Sequence, residues 1–158
     1  MARIRGTESG ARRGESRIRA TERDLLAAFA GATAAAAWAA AEPALGRLFR
    51  TPYSDVRLLG VVVSRRRWRL AGAVVHLANG AAAGVAFRRL GLQGWKAGVV
   101  AAQVESAALW PGMLLVDRYH PDRREGTWPP LAANPRVFAQ EVVAHALFGA
   151  VLGGLLRD

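Results

Sequence analysis

Six polar side chains interrupt stretches of this chain that are otherwise apolar: Glu42, His76, Asn79, Glu105, Glu141 and His145. Imidazole changes charge near neutral pH, and a carboxyl beside it can trade a proton with it or hold a cation. Two His and one carboxylate, here His76, Glu105 and His145, are also the donor set of a metal site with open positions, and two His on different helices can ligate haem. No nucleophile elbow, H-E-x-x-H, phosphate loop or G-x-G-x-x-G accompanies them, so an enzyme ranks below a binding protein, and the sequence requires no cofactor.

These residues must be positioned by the stretches that carry them. The chain has 158 residues, 52% hydrophobic and 22% charged, with a net charge of +10. The charges gather in residues 1–24, 47–69, 88–96 and 117–136, leaving four nearly charge-free runs at 25–46, 70–88, 95–116 and 137–156. Each is long enough to cross a hydrocarbon core of roughly 30 Å. A soluble four-helix bundle would show charges every three or four residues along its outer faces, and these runs do not. The expected fold is therefore all-α: an integral membrane four-helix bundle with the lipid bilayer as its principal partner.

A strongly basic balance also raises nucleic acid, but that requires a basic face on a recognisable module. Here Arg sits in tails and loops beside apolar runs, where anionic headgroups would meet it. No Cys is present, which removes disulfides and thiol chemistry.

Residues 1–21 mix Arg, Gly, Ser and Glu without apolar periodicity and read as a disordered tail lacking a secretory h-region. Thr21 and Asp24 have capping-box spacing, predicting a helix start near Glu22, and Pro43 falls near that helix's end. A short interfacial helix is expected after Ser54 or Asp55, with Val56, Leu59, Val62 and Val63 on one side. The connection 117–136 reads as a Pro- and Gly-rich loop with His120 on its surface. No internal repeat is evident. Basic residues divide evenly between the two sides, and the Arg-rich tail favours both termini in the cytoplasm.

Periodicity groups the polar residues with small ones. His76, Asn79 and Gly80 share a face of the second span, where Gly80 and Gly84 form a GxxxG pair. Glu141, His145 and Phe148 align on the fourth, beside Gly149 and Gly153. On the third, Gly98 and Gly112 flank Glu105, with Gln103 opposite and Pro111 poised to bend the helix. At about 1.5 Å per residue, all six polar groups fall in the half of the membrane nearest the two longer loops. A mid-span carboxylate costs about 2.5 to 3.5 kcal/mol, so these side chains should turn inward.

Trp38 with Glu42, His76, Trp95, Pro111, and Glu141 with His145 and Phe148 together resemble small bacterial inner-membrane proteins of the uncharacterised YagU-like kind. In those proteins the third span carries a His where Glu105 stands, and Gly80 and Gly84 lack counterparts. The resemblance implies a polytopic inner-membrane protein linked to acid tolerance. The chain also resembles hypothetical four-span proteins of high-GC bacteria. Three functions follow: a membrane module whose His/Glu cluster binds a proton, an ion or a small amphipathic ligand; an assembly subunit joined to another membrane protein or to its own copy through Gly-rich faces; and a metal- or haem-dependent enzyme.

Overall fold

The computed structural model describes residues 5–157. The chain folds as helices α1 (Arg5–Phe49), α2 (Asp55–Val63), α3 (Trp68–Arg89), α4 (Gly94–Leu109), α5 (Met113–Tyr119), α6 (Pro121–Arg124) and α7 (Pro135–Leu155). A 3₁₀ turn over Trp110–Gly112 joins α4 to α5 at Pro111, where the ring removes a backbone donor. Four stretches are long and apolar enough to cross a membrane: Arg17–Phe49, Trp68–Arg89, Gly94–Tyr119 and Pro135–Leu155.

What these spans leave outside argues for hydrocarbon around them. Phe29, Val74, Val100, Val104, Leu109, Leu114 and Leu115 are all more than half exposed. The interior instead holds Ala30, Ala34, Ala35, Ala102 and Ala144 around Trp38 and Phe148, with His76 and Glu141 buried beside them. A soluble protein would invert this distribution; a bilayer supplies the partner for the apolar exterior.

Helix association in lipid depends on close packing rather than on expelling water. Two antiparallel pairs achieve it through backbone contact. In the first, Gly31 of α1 lies against Gly80 and Gly84 of α3, so close that a Cβ at Gly31 would collide with the carbonyl of Gly80. In the second, a Cβ at Gly98 of α4 would collide with the carbonyl of Gly149 in α7, and Gly153 meets Gly94 in the same way. The pairs are built alike: His76, Gly80 and Gly84 have the same spacing as His145, Gly149 and Gly153.

α1 also packs against α7, which joins the pairs into the row α3, α1, α7, α4, whereas the outer members α3 and α4 are not packed together. The bundle thus has a cleft along one side. At the end opposite the two longer loops, Asp24 of α1 accepts hydrogen bonds from Arg88 and Arg89 at the end of α3.

Several expectations change. The first helix does not start at Glu22, because Thr21 Oγ1 donates to the Arg17 carbonyl at 3.1 Å within a helix already under way. Of the tail, residues 1–4 lie outside the described residues. Gly112 is not a packing glycine: it sits exposed in the 3₁₀ turn with open space where a Cβ would be. α2 buries Gly60 and Val61 while Val62 and Val63 point outward, since Gly60 and Gly72 bring α2 backbone-to-backbone against the start of α3.

Gly98→Ala should lower unfolding stability in detergent by about 2 kcal/mol, because neither colliding atom can rotate away. Gly112→Ala should stay within about 0.5 kcal/mol of the parent. Denaturant titration followed by circular dichroism measures both.

Candidate functional site

The cleft opens into a cavity of about 340 Å³ at the loop-bearing half of the bundle. Its floor carries Trp38 from α1, flanked edge-on by the two imidazoles: ring centroids lie 5.1 Å from His76 and 4.5 Å from His145. His76 is 7% and Glu141 3% exposed. Asp55, at the first turn of α2, enters from the side, and Trp110 and Met113 close the end where Pro111 turns the third span.

The geometry of Asp55 follows from how α2 starts. Ser54 accepts from the Arg57 amide at 3.1 Å, the N-cap bond anticipated for Ser54 or Asp55. Glu42 of α1 then supplies a second cap from across the fold. One of its oxygens accepts the Asp55 and Val56 amides at 2.7 and 3.2 Å, and the other accepts the Ser54 hydroxyl at 2.5 Å. A carboxylate facing a helix N-terminus meets both its unpaired donors and its positive dipole end. Glu42 is therefore a structural anchor turned away from the cavity, unlike its sequence assignment to the site.

Asp55 itself accepts from the Tyr53 hydroxyl at 2.8 Å through Oδ1. Burial pushes the Tyr53 phenol well above its ordinary value, with the neighbouring Asp55 charge adding to the shift, so the hydroxyl remains a donor. Oδ2 of Asp55 has no partner among the described residues, and neither does Glu141 Oε1. The two carboxyls nevertheless lie within hydrogen-bonding reach of each other. Two such acceptors can be joined only by a proton that one of them carries.

His145 Nδ1 lies 2.9 Å from the Glu141 carbonyl and 3.8 Å from its carboxylate. A carbonyl only accepts, so Nδ1 holds the proton of the neutral ring. His76 Nε2 is buried without a partner among the described residues.

Of the residues named from sequence, His76, Glu141 and His145 meet around the cavity. Asn79 and Glu105 also line it but stand exposed on α3 and α4 at its open side. Glu105 does not pair with either His. His76, Glu105 and His145 form no ligand set, since Trp38 separates the imidazoles, and no metal-holding group of three exists among the described residues. Gln103 serves as interhelical glue, its Nε2 donating to the Val142 carbonyl at 2.8 Å. Gly80, Gly84, Gly98, Gly149 and Gly153 are used up in contacts within the chain.

Beyond Glu105 the cleft continues as an apolar groove of about 210 Å³ between α3 and α4, lined by Phe87, Leu90, Leu92, Ala101 and Leu152 among others. Ala83, Glu105 and Phe148 line both spaces, so the polar cavity and the groove adjoin.

The long connection closes the other end. Asp117 gathers it by accepting the Leu131 and Ala132 amides and the Arg123 guanidinium. Trp128 is buried, donates to the Pro52 carbonyl at 3.1 Å and stacks on His120 with rings 8° from parallel. His120 is thus a buried part of the closure, not a surface residue: it caps α6 through Asp122 and reaches the Leu58 carbonyl of α2 at 3.1 Å. Arg57 grips Asp122 with two bonds of 2.7 and 2.8 Å.

Asp55 and the closure escaped sequence reading. The only signal for Asp55 was a carboxylate beside an N-cap serine, which ordinarily means a dipole contact. Compared with protein-family models, curated proteins and solved structures, the chain matches none of them.

Hydrogen bonds from Arg57 hold the Asp122 carboxyl below the usual carboxylate range, offset in part by burial. Its folded value is depressed, so the stability it contributes is complete above the unfolded value of about 3.9 and disappears as pH falls through the folded one. Asp122→Asn should cost about 2 kcal/mol at pH 7, and thermal unfolding in detergent should find most of that difference gone by about pH 3.

Proposed function

We propose that this chain is a multi-pass protein of a bacterial cytoplasmic membrane, with both termini inside, that binds a single-chain amphipath drawn laterally from the bilayer. The head group occupies the cavity among His76, Asn79, Glu141 and His145, and the tail lies in the groove between α3 and α4. One observation carries this reading: the polar cavity and the apolar groove lie side by side along the cleft between α3 and α4, sharing Ala83, Glu105 and Phe148 as walls. Ligand sites combine apolar walls with a few converging polar groups, and these two spaces divide those roles between them. The resemblance to YagU-like proteins supports the assignment to the inner membrane. The glycine ladders that an assembly subunit would present to a partner are spent inside the chain, which favours binding over assembly.

A panel of diazirine-bearing decyl chains with cationic, neutral and anionic heads tests this reading in nanodiscs. At least one member should label α3 and α4 peptides facing the groove. Ala101→Phe, which fills the groove, should reduce that labelling at least fivefold, whereas Val100→Phe on the outward face should not. Labelling spread over the outward Val104 and Leu114 faces, unchanged by Ala101→Phe, would overturn it.

A further inference from the structure

Three buried atoms around the cavity lack a hydrogen-bond partner among the described residues: Asp55 Oδ2, Glu141 Oε1 and His76 Nε2. The two carboxyl oxygens are acceptors, and the neutral imidazole offers Nε2 as a third when Nδ1 carries its proton. A proton joining Asp55 to Glu141 satisfies those two oxygens only while it stays, so an occupant that displaces it must bring donors of its own. The charges have one sign as well: Asp55, Glu105 and Glu141 line the space, and no Lys or Arg does.

From these observations, and resting on the amphipath reading above, we infer that the ligand's head is a primary ammonium, which binds by replacing a proton shared between Asp55 and Glu141. Its three N–H donors match the three open acceptors in number, which a hydroxyl or a quaternary ammonium cannot do.

Exchange, rather than simple addition, follows from the charge count. With one shared proton the two carboxyls carry a single negative charge. When R–NH₃⁺ enters, the O–H bond of that pair breaks, its electrons stay on the carboxylate oxygen and the proton passes to the buffer. The cavity then holds two carboxylates and one ammonium, again a single negative charge. No net charge is added to a site where an uncompensated one would be expensive. No covalent bond to the ligand forms. The other charged and titratable groups around the pair are Tyr53, which donates to Asp55, His76 on α3, Glu105 on α4, His145 beside Glu141 on α7, and, behind the α2 N-terminus and turned from the cavity, Glu42 on α1. Protonation of either imidazole at low pH would repel the ammonium, so binding should weaken with acidification for that reason and because the shared proton is harder to release.

Isothermal titration of the full chain in zwitterionic nanodiscs, with empty discs subtracted, tests the inference using decylamine, decyltrimethylammonium, decanol and decyl sulfate. Decylamine should bind at least tenfold more tightly than the other three. Repeating the decylamine titration at pH 7 in buffers of different ionisation enthalpy should show about one proton released per ligand bound. Asp55→Asn should weaken decylamine at least tenfold and abolish the release; the proton count on the parent protein stands even if that variant folds poorly. Equal binding of decanol or decyl sulfate would overturn the ammonium head while leaving the amphipath reading intact. Binding of decylamine without proton release would overturn the exchange. Failure of all four probes, together with absence of groove labelling by the diazirine panel, would bring down both readings.

Discussion

The closest approaches in this protein are between backbones. Within hydrocarbon, apolar side chains gain nothing by leaving lipid for one another, so helices associate where their main chains can come near enough for dispersion and weak Cα–H···O contacts to accumulate. Gly31 against Gly80 and Gly98 against Gly149 provide two such places, and each fixes one antiparallel pair. Because no comparable ladder joins α3 to α4, the pairs meet chiefly along α1 and α7. The cavity is the space this arrangement encloses without sealing.

Polar groups inside the bundle divide into those satisfied by the fold and those that are not. Glu42, Gln103 and Asp117 each find backbone donors or acceptors and tie separate elements together. Asp55, Glu141 and His76 retain unpaired atoms, all turned to one space. Among the described residues the other buried side-chain polar atoms are satisfied, so the unpaired ones concentrate around one cavity instead of being scattered.

Much of the fold was legible in the sequence because charge-free runs of membrane length announce themselves: the four spans, the bend at Pro111, the short helix after Ser54, and the inward turn of His76, Glu141 and His145 all follow from spacing. What could not be read is how helices pair. Periodicity shows that Gly80 and Gly98 belong to contact faces, but not that Gly31 and Gly149 are what they meet. That choice decides whether Glu105 faces an imidazole or a cleft. Asp55 and His120 stayed hidden for another reason: their roles depend on short elements folding back against α3 and on Trp128 seating beneath a loop, contacts made between residues far apart in sequence.

The seal formed by Trp128, His120 and the Arg57–Asp122 pair has a consequence for equilibrium. Under the amphipath proposal, a chamber covered at the loop end and open along the cleft is in balance with the two-dimensional solution in the membrane, not with the aqueous phase. Occupancy then follows the mole fraction of ligand per lipid, so diluting the vesicles with fresh lipid would empty the chamber even while the total concentration in the tube stayed constant.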